Sequence, residues 1–284
     1  MTEKRNNGAS VGVRRIIAYV VLILLSFLCL FWFWILLVNA TRSKGELTKG
    51  FSLIPSKWLL KNWQGLRAGT LPVWNGLINS LIVSGGSAVL CVYFSTMTAY
   101  AIHAYRFKGR NAIYTFILMI MMIPSQVTAL GFLQLIRNMN LEDNLIPLII
   151  PAIAAPVTFF YMKQYMDSTL SLSLIEAARI DGAGELRIFN SVVLPLMKPA
   201  IAVQAIFTFV SSWNNYFTPA LILHKDKIKT LPVLIAQLRS ADFLKFDMGQ
   251  VYVFIAFSIF PVIIVYLILS KNIVAGVALG GVKE

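Results

Sequence analysis

The chain alternates long apolar runs with short polar segments. An α-helix rises 1.5 Å per residue, so about 20 apolar residues cross the roughly 30 Å hydrocarbon core of a bilayer. Six runs come close to or exceed that length: Ile16–Val38, Asn75–Ile102, Ala112–Leu135, Leu145–Met162, Lys198–Leu223 and Met248–Ser270. Each run predicts a transmembrane helix. The pattern therefore predicts an all-α, polytopic membrane protein with six transmembrane helices.

One polar segment, Ser173–Pro195, carries five charged side chains between the fourth and fifth predicted spans. The spacing of Ser173 and Glu176 predicts a capping box, in which the hydroxyl accepts a first-turn N–H and the carboxylate reaches back. Gly182 tolerates positive φ and so predicts the end of that helix. Pro195 cannot continue a helix through its own N–H. We expect a short helix, a sharp bend and a second helix outside the membrane.

Physical chemistry alone leaves two uses of this segment open. It could be a solvated or interfacial amphipathic loop, but after Ile180 it lacks the large apolar anchors that such a helix needs. Its small side chains, Ala177 and Ala178, equally suit the close approach of another protein. A docking helix for a partner protein is therefore the competing interpretation.

Composition identifies the bilayer as the solvent. Hydrophobic residues make up 58% of the 284-residue chain, charged residues only 13%, and the mean hydropathy is +0.74. A soluble domain carries nearer 25% charged residues. The net charge of +13 lies in short clusters between apolar runs, which is typical of the flanks of membrane spans and not of a nucleic-acid-binding face.

The apolar runs lack the groups that several kinds of membrane protein need. No Asp, Glu, Lys, Arg or His lies inside their apolar cores, whereas proton relays and ion-coupled carriers use intramembrane ionisable groups. The chain has no G-x-x-x-x-G-K-[ST] phosphate loop, so we do not expect it to be an ATPase itself. His103 and His224 have no second ligand at metal spacing, so we predict no metal site and no catalytic residue.

The segment from Glu176 to Pro195 resembles the EAA loop of bacterial ATP-binding-cassette importer permeases. Its matching positions are Glu176, Ala177, Ala178, Gly182, Leu194 and Pro195. The stretches NSLIVS, MMIPSQV, SSWNNYFTPALIL and AGVALGGVKE are similar to the smaller permease of maltose-type importers, in the carbohydrate-uptake branch. The chain departs from that family at its end, where Val282, Lys283 and Glu284 replace the usual Val-Lys-Gly.

This resemblance implies a cytoplasmic coupling helix that sits in a cleft of a separate ATPase subunit. The implied coupling residues are Glu176, Ala177, Ala178, Arg179, Asp181 and Gly182. The implied partners, besides the lipid bilayer, are a second permease of similar fold, two ATP-binding subunits and an extracytoplasmic solute-binding protein. ATP and Mg²⁺ would be used by the ATPase subunits, and this chain would bind no cofactor. Movement of the helix would tilt the fifth span and those after it.

The sequence SWNNYF predicts a substrate path. It places Trp213, Asn214, Asn215 and Tyr216 side by side. Aromatic faces and amide groups suit the apolar ring faces and hydroxyls of sugars. The alternative is that the aromatic residues belong to an interfacial belt and that the asparagines bond between helices.

The basic flank before the first run predicts a cytoplasmic N-terminus by the positive-inside rule, although the Lys and Arg of the whole chain are nearly balanced, with 13 on the predicted inside and 12 outside. At about 23 residues, this run exceeds the 7–15 apolar residues of a signal peptide, and we expect it to be retained. We divide the chain into a cytoplasmic tail (1–15), a first span (16–38), an extracytoplasmic loop (39–74), a five-span core (75–270, with the EAA loop at 171–198) and a cytoplasmic tail (271–284). The resemblance implies the bacterial cytoplasmic membrane.

These observations together favour a permease subunit of an ATP-driven importer for a mono- or oligosaccharide. The same machinery could carry a sugar phosphate or another small anionic solute, since the loops predicted outside are basic. An ion-coupled carrier or channel is a weaker alternative because the spans lack ionisable groups. A membrane enzyme is weaker still, since no catalytic cluster is evident.

Overall fold

The computed structural model describes residues 6–240 and 247–280, in which helices connect through short loops and no β-strand occurs. The helices up to the middle of the chain are α1 (Asn6–Ala40), α2 (Lys44–Thr48), α3 (Leu59–Ala68), α4 (Val73–Ala104), α5 (Arg110–Ile120), α6 (Ser125–Asn138), α7 (Ile146–Ile149) and α8 (Pro156–Thr169). Those that follow are α9 (Leu172–Ile180), α10 (Glu185–Ile188), α11 (Leu194–Leu196), α12 (Lys198–Trp213), α13 (Phe217–Ile222), α14 (Leu231–Ser240) and α15 (Met248–Gly280). The predicted all-α class is confirmed.

Four helical segments within the described residues are long and apolar enough to cross a membrane. They are Arg14–Ala40, Val73–Ala104, Ile146–Thr169 and Met248–Lys271. A fifth arises if Glu185–Leu196 and Lys198–Trp213, which meet at a bend of 81°, count as one broken span. The six-span count therefore stays a prediction.

Two predicted spans are interrupted. The run Ala112–Leu135 is wrong as a single helix, because it is divided between α5 and α6. Pro124 stands at the N-cap of α6 and has no N–H with which to continue α5. The run Lys198–Leu223 is divided between α12 and α13, and at the break the Asn215 side chain accepts the Thr218 N–H at 3.3 Å.

The other four predicted spans reach further along the chain in the structure. The first is α1, which already begins at Asn6, and the second is α4, which extends two residues beyond each predicted end. The run Leu145–Met162 comprises α7, a 3-10 turn (Ile150–Ile153) and α8, which continues to Thr169. The last span continues beyond Ser270 as α15, so the beginning of the predicted 271–284 tail is helical. The ending Val282, Lys283 and Glu284 lies outside the described residues, as do residues 1–5 of the predicted N-terminal tail.

The chain divides into two compact units. One comprises residues up to Thr70 together with Leu238–Phe257, and the other comprises Leu71–Gln237 together with the residues from Ser258 onward. In the first unit the buried Asn62 amide donates to the Ala40 carbonyl at 3.0 Å and to the Arg42 carbonyl at 2.9 Å. The predicted loop 39–74 is thus ordered and contains α2 and α3.

The second unit is built around α4, which packs along both α8 and α12. Its main core includes Tyr100 of α4, Met162 and Met166 of α8, and Phe189 and Met197 of the segment before α12. The α9 helix rests on the same core through Ile175. This arrangement places the polar segment Ser173–Pro195 directly on the core cluster between α4 and α8.

Candidate functional site

The predicted coupling segment folds as α9, a tight turn and α10, and α9 begins at Ser171. The Ser171 Oγ accepts the Ser173 N–H at 3.3 Å, and the two hydroxyl oxygens lie 2.6 Å apart. The predicted capping box of Ser173 and Glu176 is therefore wrong. An N-cap residue needs extended backbone, which Ser171 has (φ −73°, ψ 136°), whereas Ser173 is already helical.

The end of α9 is a Schellman motif around Gly182, as the sequence predicts. The Gly182 N–H donates to the Arg179 carbonyl and the Ala183 N–H to the Ala178 carbonyl, both at 3.0 Å. Gly182 has φ +77°, a conformation that costs other residues about 1–2 kcal/mol. The helix is thus closed rigidly at this end by its own backbone.

The chain after Gly184 returns to the core through an irregular helix. α10 leads into a π-turn, Phe189–Val193, and then into α11 and α12. Pro195 lies in the first turn of α11 and has no N–H to donate to the preceding turn. The π-turn thus lies just before the proline that lacks an N–H donor, as expected where the backbone hydrogen bonds of a helix are interrupted.

One face of α9 is buried and the other is exposed. Ile175 is 1% exposed, and Ala178 packs against the same core cluster. The remaining predicted coupling residues are exposed: Glu176, Ala177, Arg179, Asp181 and Gly182. Two apolar side chains beside them, Ile180 and Leu186, are 86% and 71% exposed. The segment therefore presents a mixed apolar and charged surface on a firmly supported helix.

Glu185 connects this segment to α4. Its Oε1 accepts from Arg179 Nε at 2.7 Å, and its Oε2 accepts from the Tyr100 hydroxyl at 3.0 Å. The Arg179 guanidinium also lies over the Tyr105 ring, 5.4 Å from its centroid. The hydrogen bonds from Arg179 and Tyr105 hold the pKa of Glu185 below its ordinary value. Sequence reasoning missed Glu185 because one partner stands 85 residues away.

A second polar cluster lies where α8 meets the end of α4. Asp167 Oδ2 is 2.6 Å from Lys163 Nζ, and its Oδ1 is 2.8 Å from His103 Nδ1. The other ring nitrogen of His103, Nε2, lies 3.0 Å from the Leu170 carbonyl oxygen. Lys163 is only 8% exposed. This cluster was missed because the apolar run ends before Lys163, while α8 continues two turns further.

The predicted substrate-path residues lie together at the break between α12 and α13. Trp213 is buried, donates from Nε1 to the Ser258 carbonyl at 3.1 Å and stacks on Phe209 with ring centroids 5.6 Å apart. The Asn215 amide oxygen accepts the Thr218 N–H in the first turn of α13. Asn214 and Tyr216 are exposed. Contact with a sugar stays a prediction. The exposed Asn214 and Tyr216 are accessible for such a contact, whereas Trp213 is buried.

The chain is similar to known proteins over nearly its whole length. Residues 93–278 match the family model described as "Binding-protein-dependent transport system inner membrane component". The chain is 34% identical over 278 residues to the arabinooligosaccharides transport system permease protein AraQ of Bacillus subtilis (strain 168), covering 96% of this chain and 97% of that protein. It is 30% identical over 267 residues to the sn-glycerol-3-phosphate transport system permease protein UgpE of Yersinia pestis bv. Antiqua (strain Antiqua), covering 92% and 95%.

A solved structure is similar over nearly the same length. It is a bacterial ABC transporter involved in the import of the acidic polysaccharide alginate, with a TM-score of 0.78 and 25% identity. The similarity covers 95% of this chain and 99% of that chain. The two kinds of comparison thus agree on a transport function in a membrane.

Proposed function

The chain belongs to the family of binding-protein-dependent transport system inner membrane components, and from this premise we propose that its α9 couples a separate ATPase to the import of a carbohydrate. The family is a membrane permease component of a transporter and not an enzyme. Such a component works in a complex with other transporter subunits, in the inner membrane. The residues that couple, the cargo and the composition of the complex are our proposals.

The one-sided burial of α9 is the observation that carries the coupling proposal. Ile175 anchors the helix in the core, while Glu176, Ala177 and Asp181 face outward beside exposed apolar side chains. A helix held at its cap and at Gly182 can move as one body when a partner changes shape. The ATPase shifts the permease between its two states only if it contacts α9 differently in each of its own states.

We propose a mono- or oligosaccharide as cargo, which the arabinooligosaccharide relative supports. The glycerol phosphate relative favours one specific alternative, a sugar phosphate or similar anion. The proposed complex contains this chain, a second permease, two ATP-binding subunits that use ATP and Mg²⁺, and an extracytoplasmic solute-binding protein. Both termini of this chain would lie in the cytoplasm. This chain needs no cofactor of its own in that scheme.

A matched pair of glycine substitutions tests the coupling residues. Gly182→Ala forces alanine into a positive-φ position, whereas Gly184→Ala places it at φ −68° with no atom within 4 Å of the new Cβ. We expect Gly182→Ala to reduce ATP-driven uptake about tenfold, given a strain of about 1–2 kcal/mol at the docking turn. Gly184→Ala should transport normally. Immunoblots of membranes check that both proteins are inserted.

Reversal of a side-chain charge tests the same proposal without changing the backbone conformation. Glu176→Lys keeps a long exposed side chain on α9, so the membrane content of the protein should stay the same. Uptake should be abolished because a positive charge replaces the negative charge that is proposed to face the ATPase subunit. If both Glu176→Lys and Gly182→Ala transport normally, α9 is not the coupling helix.

Purification of the native complex tests cargo and partners together. The complex is extracted from its membrane in mild detergent and its ATPase activity is measured with candidate binding proteins, each with arabino-oligosaccharides, with raffinose or with sn-glycerol 3-phosphate. We expect a second permease and an ATPase to co-purify, and stimulation by a sugar-loaded binding protein. If ATPase activity is stimulated only with sn-glycerol 3-phosphate, the cargo is the anionic solute and not the proposed carbohydrate. A chain that purifies alone would contradict the proposed complex.

A further inference from the structure

Two side chains near the end of α4 form hydrogen bonds with residues that flank α9 on either side. At one end, the Tyr100 hydroxyl donates to Glu185 Oε2 at 3.0 Å, while Arg179 at the end of α9 donates to Oε1 of the same carboxylate at 2.7 Å. At the other end, His103 Nε2 lies 3.0 Å from the carbonyl of Leu170, the residue before the Ser171 cap. Tyr100 and His103 stand three residues apart, which places them on one face of α4.

At each attachment, every polar atom of the central side chain has a hydrogen-bond partner. Both oxygens of the Glu185 carboxylate have a donor, and its two donors come from different helices. Both ring nitrogens of His103 lie within hydrogen-bond distance of an oxygen, Nδ1 of the Asp167 carboxylate and Nε2 of the Leu170 carbonyl. Lys163, the neighbouring cation, binds the same Asp167 carboxylate at 2.6 Å. Hydrogen bonds to charged groups are stronger than those between neutral groups.

Apolar packing fills the space between the two attachments. Ile175 of α9 is buried in the same core cluster as Tyr100, and Tyr100 packs on Phe189 with ring centroids 5.8 Å apart. Interiors packed in this way resist continuous deformation. The α9 helix is therefore held to α4 at three places, and the two cannot slide past each other without breaking charged hydrogen bonds.

We propose that this clamp, formed by Tyr100, His103, Arg179 and Glu185, transmits the movement of the coupling helix directly to α4. Tyr100 and Glu185 act as positioning residues. This inference rests on the proposed coupling function of α9 and adds a second route to the one along the chain into α12. Because α4 packs along both α8 and α12, movement that enters α4 reaches the whole second unit.

The test follows α4 and α12 separately in the assembled transporter. A cysteine replaces Ile78 on α4 or Phe207 on α12, two side chains that are 54% and 64% exposed, in a Cys29→Ala and Cys91→Ala background. Each is labelled with an environment-sensitive fluorophore. The complex in nanodiscs is then trapped with MgATP and vanadate in the presence of the loaded binding protein that stimulates its ATPase activity. The wild-type clamp should give a fluorescence change at both positions.

The clamp variants are Tyr100→Phe, which keeps the buried ring, and Glu185→Gln, which keeps the side-chain shape. In both we expect the trapping signal on α4 to fall several-fold, because loss of a hydrogen bond to the carboxylate weakens the link between α4 and α9. The signal on α12 should persist, and the ATPase subunits should still co-purify. An undiminished signal on α4 in both variants would overturn the clamp.

Matched controls separate the clamp from general damage. Tyr165→Phe alters a tyrosine that packs on the same core, and Glu142→Gln removes a carboxylate whose partner, Arg137, lies 3.0 Å away and outside the clamp. Both should keep the full α4 signal.

The same labelled proteins separate this inference from the proposed function. If Glu176→Lys leaves both reporter signals intact, α9 does not couple and the clamp has no movement to transmit. If Glu176→Lys abolishes both signals while the clamp variants leave α4 unaffected, α9 couples but the clamp does not carry its movement.

Discussion

The carboxylate of Glu185 shows how one side chain can organise a functional segment. Its two oxygens bind donors from α4 and α9, and its own backbone begins α10. The two donors lie in different places, since Arg179 belongs to the end of α9 and Tyr100 to the core. Exposed ion pairs contribute only about 0–1 kcal/mol to stability. We therefore assign Glu185 a role in geometry more than in overall stability.

Acidification tests how much the ionised Glu185 carboxylate stabilises the fold. Its pKa in the folded protein is below the ordinary 4.5, so the stabilisation that it provides is present above pH 4.5 and is lost as the pH falls through the lower folded value. We expect the detergent-purified wild type to melt at a higher temperature than Glu185→Gln near neutral pH. The difference should narrow as the pH falls below 4.5. Melting curves that differ equally at every pH would show that ionised Glu185 does not stabilise the fold.

At the scale of elements, small residues decide how closely α4 approaches its neighbours. A Cβ on Gly76 would lie 2.5 Å from Leu234 Cδ1, and Leu234 is completely buried in α14. Nearby, the Asn79 amide donates to the Lys227 carbonyl at 3.0 Å and the Lys229 carbonyl at 3.1 Å. By contrast, Gly85 on the same helix has no atom within 4 Å of such a Cβ.

Valine at these two glycines gives a matched pair within one helix. Gly76→Val should destabilise the purified protein by about 1–3 kcal/mol, because the buried contact with α14 has no room for extra carbons. Gly85→Val should be neutral or slightly stabilising, since valine has a better helix propensity than glycine. Thermal unfolding in detergent measures both. Equal melting temperatures for the two variants would mean that the contact at Gly76 is not tight.

At the scale of the whole molecule, the charge distribution predicts which ends face the cytoplasm. With the N-terminus inside, the turn after α13 lies outside and the coupling segment lies inside. Lys225 and Arg187 are exposed representatives of these two regions. The six-span topology requires them to lie on opposite sides of the membrane.

Labelling of single cysteines tests this topology in a background that lacks Cys29 and Cys91. A membrane-impermeant maleimide should label Lys225→Cys in intact spheroplasts, and Arg187→Cys only after the membrane is permeabilised. The cysteine-free background should remain unlabelled. The reverse pattern would invert the orientation, and labelling of both from outside would contradict the proposed number of crossings between them.

The sequence by itself determined the all-α class, the family resemblance and the end of α9 at Gly182. The class and the helix end follow from apolar run length and from backbone preferences, which act within a few neighbouring residues, and the resemblance follows from the matching motifs. It did not determine which of two nearby serines caps α9, because both can accept a hydrogen bond and only the backbone path selects Ser171.

Only the tertiary structure decided the contacts between distant parts of the chain. It pairs Glu185 with Tyr100 and His103 with the Leu170 carbonyl, and it engages the indole of Trp213 with the Ser258 carbonyl. Each of these partners lies tens of residues away. Which polar groups meet across that separation depends on how α4, α8 and α12 pack, because a buried donor takes whichever acceptor the packing brings within reach.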